Sequence, residues 1–278
     1  MIVTLGDLVE DVVVELSGPI TPASDTDARI QRRRGGSAAN VAAAAARLGS
    51  ASRFVGQVGE DASGGLLIAE LARDGVDVQF VRRSGRTATI VVLVDEAGER
   101  TMLVDRGSAR SLTDVDPVWL AGARTLHLTL YSLLDEPIAT TSRATVALAH
   151  DRGVAVSIDV SSVALIREVG ATTVRELVMS LQPALVFANA DEATALSLSG
   201  PLGAAAVIVK RGPDPCTLHR SNGDPIDFPA MRLDRTVDTT GAGDAFAAGV
   251  LSHPGWRDDV IAACAAGHRA AHGLLRSR

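Results

Sequence analysis

Between residues 125 and 210 the chain alternates short apolar segments with longer helical ones, and this alternation constrains its fold more than any other feature. Strands are predicted at 125–130, 154–159, 184–188 and 205–210, with helices near 137–151, 171–181 and 191–198. Strands that are continuous apolar runs are typical of parallel sheets buried on both faces. Their alternation with helices indicates βαβ units. We therefore predict an α/β fold with a mainly parallel central sheet flanked by helices.

The first half of the chain adds a second, smaller sheet. Thr87–Asp95 is rich in β-branched residues, and a turn at 97–99 leads into a returning strand at 100–104, which predicts a β-hairpin. A two-stranded hairpin needs a partner surface. We expect it to join a strand at 12–17, so that about 11–34 and 87–104 form a small β lid on a single domain spanning 1–278.

Composition restricts the function classes. Apolar residues make up 46% of the chain and charged residues 22%, and the net charge is −6. A negative net charge argues against non-specific nucleic-acid binding. The two cysteines form neither a disulfide framework nor a metal spacing. No apolar run has the length of a membrane span and no signal peptide is visible, so we expect a cytoplasmic protein without membrane or nucleic-acid partners.

The run Asp238-Thr239-Thr240-Gly241-Ala242-Gly243-Asp244-Ala245-Phe246 carries the chemistry. It enters an apolar helix, and the first N–H groups of a helix have no intrahelical partner and lie at its positive end. Glycines at such an entry allow a phosphate to approach closely. Asp244 adds a carboxylate that can take a proton from an attacking hydroxyl. The combination predicts phosphoryl transfer, although Asp at a helix start and Gly-x-Gly in a turn are also ordinary structural features.

Three further clusters need explaining with it. Gly35-Gly36 precedes another helix, and Asn40 lies one turn inside that helix among alanines. Asn189 and Glu192 follow a strand at the sheet edge where open α/β sheets bind ligands. Asp11 enters a predicted strand. Taken singly, each has a structural explanation, namely packing, capping or the chemistry of a helix start.

Together these segments resemble the ribokinase-like sugar kinases, also called PfkB carbohydrate kinases, over nearly the whole chain. The N-terminal signature is matched by Gly35-Gly36 with Asn40, then by 46–49 and 56–61, and the C-terminal signature by 238–246 with Gly249. The family's Asn-x-x-Glu motif is matched by Asn189 and Glu192. The resemblance implies the ribokinase-like sandwich fold and ATP-dependent phosphorylation of a small sugar or sugar-like alcohol.

The resemblance also implies residue roles. Asp244 is expected to be the general base, and the transferring phosphoryl group is expected at a backbone anion hole formed by Gly241, Ala242 and Gly243. Sugar contacts are expected from Asp11, Gly35, Gly36 and Asn40. ATP is expected near Asn189, Lys210, Gly212 and His268, Mg²⁺ at Glu192, and a monovalent cation such as K⁺ at Asp238 and Thr240. A homodimer through the lid is a further expectation.

Two stretches depart from the family pattern, and both lie on the nucleotide side. Gly212-Pro213-Asp214-Pro215 stands where the family often carries Gly-x-x-Gly. Gly267-His268 occupies the region where an asparagine often lies near the adenine. Adenine recognition therefore cannot be transferred from the family residue by residue.

Other functions remain to be compared with a sugar kinase. A nucleoside kinase of the same fold is the first alternative, but the lid offers no aromatic residue between 87 and 104 to contact a base. A sugar-phosphate kinase needs a cation for the substrate phosphate, and Arg32–Arg34, Arg100 or Arg106 can supply one. A catalytically silent sugar-binding protein is disfavoured by the intact 241–244 segment. The P-loop and Gly-x-Ser-x-Gly motifs are absent, and no glutamate follows His268 as in a zinc helix.

Overall fold

The protein is described by a computed structural model that covers residues 1–233 and 238–277. In these ranges the main sheet has nine strands: β1 (Ile2–Leu5), β4 (Ser52–Val58), β5 (Val81–Arg83), β8 (Thr125–Thr129), β9 (Ala155–Asp159), β10 (Leu185–Asn189), β11 (Ala206–Arg211), β12 (Asp214–His219) and β13 (Ile226–Phe228). Their order is β13-β12-β11-β10-β9-β8-β1-β4-β5. All neighbours from β11 to β5 are parallel, whereas β12 and β13 add an antiparallel edge.

Helices cover both faces of this sheet: α1 (Ser37–Arg47), α2 (Ala62–Arg73), α3 (Tyr131–Leu134), α4 (Ile138–Asp151), α5 (Val163–Val169), α6 (Ala171–Ser180), α7 (Ala190–Ala195), α8 (Ala242–Ser252) and α9 (Val260–Arg276). Alternate strand residues enter different cores. Val186 packs with the face covered by α4 to α7, and Phe187 packs with α1, α8 and α9. This two-sided burial explains why the strands are continuous apolar runs.

A second sheet of four strands stands apart from the first: β2 (Val9–Leu16), β3 (Ala28–Gly35), β6 (Thr89–Val94) and β7 (Arg100–Asp105), in the order β3-β2-β6-β7. We call this sheet the lid. The register places Asp11 beside Arg33 and Ile90, and Val13 beside Val92, on one face. Strand residues alternate between faces, so the opposite face carries the apolar stripe Val12, Val14, Ile30, Val91, Leu93 and Leu103.

Helices α8 and α9 approach each other at two glycines. A Cβ built on Gly249 would lie 2.6 Å from the Ala266 carbonyl oxygen, and one built on Gly267 would lie 2.8 Å from Val250 Cγ2. Neither position has room for a side chain, because such distances are below van der Waals contact. The contact therefore fixes α8, which carries Asp244, against the last helix of the chain.

The predicted fold class is confirmed, since a large, mainly parallel sheet with helices on both faces is accompanied by a separate small sheet. The small sheet includes β3, for which no strand was predicted, and its function as a lid on a single domain stays a prediction. None of the helices in the described ranges is both long and apolar enough to cross a membrane.

Candidate active site

The N-terminus of α8 lies at the centre of the candidate site. Gly241 is its N-cap residue, with φ 76° in the left-handed region that favours glycine. The Ala242 N–H donates to the Thr239 carbonyl at 3.0 Å, whereas no described residue accepts from the N–H groups of Gly241 and Gly243. Of the three residues expected to form an anion hole, Gly241 and Gly243 thus have N–H groups with no acceptor among residues 1–233 and 238–277, as an anion site requires.

Asp244 is held by two donors from α1. Ser37 Oγ donates to Asp244 Oδ1 at 2.7 Å, and Asn40 Nδ2 donates to Asp244 Oδ2 at 2.9 Å. Burial raises the pKa of Asp244 to about 6, although both hydrogen bonds act in the opposite direction. A carboxylate with such a pKa is largely ionised at neutral pH, so it can accept a proton. The structure thus joins two sequence-predicted residues, Asn40 and Asp244, that are 204 positions apart.

Asp11 lies on the inner face of the lid, against the glycine pair. A Cβ on Gly35 would overlap the Asp11 carboxylate, and one on Gly36 would overlap the backbone carbonyl of Asp7. Only glycine fits at positions 35 and 36. Because these residues have no side chain, Asp11 can lie against them at the start of α1. The pKa of Asp11 is raised to about 6, first by burial and then by the neighbouring Asp7 carboxylate, while Arg33 acts in the opposite direction.

A buried charged cluster lies beneath the α8 N-terminus. Lys210 Nζ contacts Asp159 Oδ2 at 2.6 Å and lies 3.3 Å from the point that a Cβ on Gly243 would occupy. Burial lowers the pKa of Lys210, but Asp159, Glu192 and Asp244 outweigh burial and raise it above its usual value. The lysine is therefore charged, directly beside Gly243 in the first turn of α8.

Asn189 and Glu192 form a reciprocal capping box on α7. The Asn189 N–H and Nδ2 each donate to Glu192 at 2.8 Å. Burial, followed by the nearby Asp159 carboxylate, raises the pKa of Glu192 to about 7. Glu192 thus has a structural role as part of the capping box, whether or not it also helps to bind the phosphates. Its carboxylate lies near that of Asp159, and a cation would reduce the repulsion between these two negative charges. In residues 1–233 and 238–277, no three His, Cys, Asp or Glu side chains are grouped to hold a metal ion.

The two residues expected to bind a monovalent cation are joined to the lid instead. Arg100 donates to Thr240 Oγ1 at 2.7 Å and to Asp238 Oδ1 at 3.0 Å, and Arg33 donates to Asp238 Oδ2 at 3.2 Å. The bonds from Thr240 and Arg100 outweigh the effect of burial and lower the pKa of Asp238. Because the Arg100 guanidinium is paired with the Asp238 carboxylate, Asp238 and Thr240 do not form a site for a monovalent cation in this conformation.

The expected nucleotide contacts lie further along the sheet edge. Gly212 is exposed in the β11–β12 turn with φ 59°. His268 on α9 is half-buried, where its Nε2 contacts Cys216 Sγ at 3.2 Å and its ring packs edge-on against Phe246. His268 is therefore partly a core residue. Lys210 is more deeply buried than a residue that contacts a nucleotide at the edge of the sheet would need to be.

Several residues of the site were missed at the sequence level. Ser37 and Asp7 lie beside the expected motifs, and Asp159 ends β9 at the same sheet edge as Asn189. The position of Asp159 at a strand end was a usable signal. Arg33 and Arg100 were considered only as cations for a substrate phosphate, and their contact with Asp238 was not predicted because it depends on how the lid is placed over α8.

Comparison of the sequence with known protein families identifies the class of protein to which this chain belongs. The pfkB family carbohydrate kinase model matches residues 1–277. The chain belongs to the pfkB family of carbohydrate kinases. It is 34% identical to an ATP-dependent ribose-1-phosphate kinase of Halopiger xanaduensis, over 83% of this chain and 77% of that protein. It is 30% identical to a fructokinase of Escherichia coli, over 89% of this chain and 82% of that protein.

A solved structure extends the likeness to the fold. The adenosine kinase of Sinorhizobium meliloti aligns with a TM-score of 0.84 at 24% identity, covering 99% of this chain and 93% of that one. At this identity the likeness concerns the fold alone. The family match, however, confirms the carbohydrate kinase class predicted from the motifs.

Proposed function

We propose that this pfkB family member transfers the γ-phosphoryl group of ATP to a hydroxyl of a small sugar or sugar-like substrate. In the reaction, the hydroxyl oxygen bonds to the γ-phosphorus, the bond to the β–γ bridging oxygen breaks, and ADP leaves. The observation that carries the proposal is Asp244, held by Ser37 and Asn40 at 2.7 and 2.9 Å on a helix whose first amides are open.

The roles of the chain's residues follow from their positions. Asp244 takes the hydroxyl proton, for which its pKa of about 6 suits it near neutral pH. Asp11 and the glycine pair, on the other side of Asn40, orient the sugar hydroxyls, because carboxylates accept and amides both donate and accept. The lid brings Asp11 over the substrate and excludes water, which limits ATP hydrolysis.

Charge stabilisation comes from the α8 N-terminus and Lys210. Phosphoryl transfer depends on positioning and on stabilising the charge of the equatorial oxygens. The Lys210 ammonium lies 3.3 Å from the point that a Cβ on Gly243 would occupy, and Asp159 holds the lysine at 2.6 Å. We infer that Lys210 acts on the phosphates, while Gly212 and His268 lie toward the rest of the nucleotide.

Magnesium fits the carboxylates of this edge. Glu192 and Asp159 crowd each other in a buried setting, and Glu192 retains lone pairs for bound waters. When bound, Mg²⁺ would neutralise phosphate charge and be held by Glu192 through water, with Asn189 keeping that carboxylate in place. Asp238 is paired with Arg100 at 3.0 Å, so the proposed reaction uses no monovalent cation at this carboxylate.

The experiment is a panel of free sugars, sugar phosphates and nucleosides, each incubated with ATP and Mg²⁺ and scored by ADP release. We expect turnover with a member of the sugar classes, with no more than background for nucleosides, since strands β2, β3, β6 and β7 carry no aromatic residue. A preference for nucleosides would establish the alternative. Silence with every substrate, alongside sugar binding by calorimetry, would support a catalytically silent binding protein.

We also propose a homodimer through the outer face of the lid. This face carries Val12, Val14, Val91, Leu93 and Leu103, with Ile30 and Leu103 exposed by 62% and 55%. Contiguous exposed apolar surface marks interaction sites in soluble proteins. A sedimentation experiment should show a dimer that Leu103→Lys dissociates. A monomeric wild-type protein at micromolar concentration would contradict the proposal.

A further inference from the structure

Strand β3 leads into the glycine pair of the candidate sugar site but contributes little to the core. Of its eight residues only Gly35, the last one, is buried. It is the edge strand of the lid and pairs with β2 along its whole length. The position of Gly35 therefore depends strongly on how this end of β3 is attached to the rest of the molecule.

The side chain of Arg34 attaches that end of β3 to helix α2. Arg34 Nη1 donates to Asp74 Oδ2 at 2.6 Å. Asp74 is the C-cap residue of α2, and its own N–H donates to the Glu70 carbonyl at 3.1 Å. Arg47, in the last turn of α1, donates through Nη2 to both oxygens of the same carboxylate, at 2.9 and 2.8 Å. One carboxylate thus joins a strand and two helices, and we call Arg34, Asp74 and Arg47 the Asp74 cluster.

The two arginines of the Asp74 cluster differ in their exposure to solvent. The side chain of Arg34 is 11% exposed, whereas that of Arg47 is 53% exposed. Burial raises the pKa of Asp74, but the hydrogen bonds from Arg34 and Arg47 outweigh burial and hold the pKa below its usual value. The carboxylate is therefore ionised at neutral pH, and its contact with Arg34 is the less screened of the two.

The helices of the Asp74 cluster are anchored without it. Six of the eleven residues of α1 are buried. Helix α2 buries Leu67 and Leu71, which belong to the same core cluster as Ala38 and Ala42 of α1. Since both helices are fixed by this packing and β3 is not, the contact between Arg34 and Asp74 fixes the strand relative to the helices.

The sugar side of the site is sensitive to the position of this strand. A Cβ on Gly35 would lie 2.4 Å from both carboxylate oxygens of Asp11, so the backbone of β3 lies directly against that carboxylate. Asp244, in contrast, is held by Ser37 and Asn40 of α1. A shift of the end of β3 would therefore disturb Asp11 and leave the base in place.

We propose that Arg34 and Asp74 are positioning residues for the sugar site. They fix the end of β3, so that Gly35 and Asp11 keep the geometry that binds the sugar. Arg47 adds to the stability of the Asp74 cluster but is not needed for this positioning, because α1 is held by its core. The proposal rests on the proposed kinase function and adds to it two residues that act on sugar affinity through the backbone of β3.

The first test compares Arg34→Met with Arg47→Met, which is the matched control. Each variant removes one arginine from the same carboxylate, and the apolar methionine leaves no unpaired cation behind. For the sugar that the substrate panel identifies, Arg34→Met should raise KM, and Kd measured by calorimetry without ATP, by about 10-fold. This is a part of the 10- to 100-fold that complete loss of a charged hydrogen bond costs, because Asp11 is displaced but not removed.

The remaining kinetic values separate positioning from general loss of stability. In Arg34→Met, kcat at saturating sugar and KM for ATP should stay near wild type, because α1 keeps Asp244 in place. Arg47→Met should keep the wild-type sugar KM, whatever its Tm. Arg34→Lys, which retains a cation for Asp74, should recover part of the sugar affinity that Arg34→Met loses.

The second test needs no substrate and measures amide hydrogen exchange along residues 29–34. In Arg34→Met, exchange in this segment should be faster by on the order of 10-fold, because the strand end opens locally. Exchange along 62–73 of α2 should stay near wild type in the same sample. In Arg47→Met, residues 29–34 should exchange as in the wild-type protein.

The outcomes distinguish this proposal from the kinase function on which it rests. An unchanged sugar KM and Kd in Arg34→Met would overturn the positioning role while leaving the kinase function intact. An equal rise of sugar KM in Arg47→Met would overturn it as well, since the effect would then reflect stability alone. A wild-type protein that phosphorylates no sugar would refute the kinase function, and unchanged exchange along 29–34 in Arg34→Met would refute the attachment of β3 independently of any substrate.

Discussion

The substitution Asp244→Asn tests the capacity of this residue to accept a proton separately from the hydrogen bonds that hold its side chain. The wild-type carboxylate accepts from Ser37 at 2.7 Å and from Asn40 at 2.9 Å. In Asp244→Asn, the remaining carbonyl oxygen can still accept from Asn40, and the new NH₂ can donate to the Ser37 hydroxyl, which turns to accept. Both hydrogen bonds are thus retained in neutral form, and the lost property is the capacity to take a proton.

The expected magnitudes separate catalysis from stability. Loss of a general base costs about 10²- to 10⁴-fold in rate, or roughly 3 to 5 kcal/mol of transition-state stabilisation. Two charge-assisted hydrogen bonds become neutral ones, which weakens them by about half, but the cost of burying the charge is removed at the same time. We therefore expect Tm to change by only about 2–4 °C, corresponding to about 1 kcal/mol in a chain of this size.

The assay measures kcat, sugar affinity and Tm of the variant together. Asp259→Asn is the matched control, because Asp259 accepts from the Ala262 N–H at 2.9 Å as the N-cap of α9 and lies outside the site. The control should retain wild-type turnover. Near wild-type kcat in Asp244→Asn would refute the role of Asp244, and loss of sugar binding together with a collapsed Tm would refute the argument that its hydrogen bonds survive.

The pH profile checks the same group independently. Because burial raises the pKa of Asp244 to about 6, the carboxylate is protonated below that pH and cannot act as a base. In the wild-type protein, kcat/KM should fall steeply below about pH 6, since this parameter reports the free enzyme and the sugar-binding Asp11 also has a pKa raised to about 6. Asp244→Asn should keep only the shallower limb that Asp11 contributes, about tenfold per pH unit, and a profile that stayed flat down to pH 5 in the wild type would exclude Asp244 as the base.

Three further predictions concern the residues around this base. Asp11→Ala should raise the sugar KM about 10- to 100-fold through loss of a charged hydrogen bond and leave the ATP KM nearly unchanged; equal damage to both would make Asp11 a structural residue of the lid. Glu192→Gln keeps the capping box but removes a charge, so half-maximal rate should need more Mg²⁺ and recover partly when Mg²⁺ is raised; an unchanged Mg²⁺ titration would leave Glu192 with capping alone. Lys210→Met should lower kcat about 10²- to 10³-fold and, by leaving Asp159 buried and unpaired, cost about 3–5 kcal/mol of stability; adding Asp159→Asn should restore Tm but not kcat, and recovery of kcat would show that Lys210 serves folding only.

The fold was largely predictable because its determinants are local. Continuous apolar strands such as 184–188 need burial on both faces, and this requirement can be recognised without knowing the neighbours. Strand β3 was harder to predict, because its mostly exposed sequence Ala28–Gly35 carries four arginines and contributes little to the core. Its strand conformation comes from pairing with β2, which is a property of the assembled lid.

The site was predictable where a motif places residues close together in the chain. Gly241 to Asp244 share one turn, so their chemistry follows from helix geometry alone. The contacts of Arg100 with Thr240 span 140 positions, and those of Arg33 with Asp238 span 205. Such contacts depend on how two sheets are placed relative to each other, and no spacing in the sequence encodes that placement. The same reason explains why the position of Lys210 beside Gly243 was not predicted, whereas its contact with the nucleotide stays a prediction.

The close approach of α8 and α9 makes the reaction depend on two glycines that are buried between these helices. Because Gly249 and Gly267 leave no space for even a methyl group, any larger residue must displace the helix that carries the base. A displacement of about 1 Å at reacting atoms can cost on the order of 10²-fold in rate. Variation in this helix contact can therefore tune turnover without touching Asp11, Gly35 or Gly36, which gives natural or directed evolution a means of adjusting catalytic speed separately from the choice of sugar.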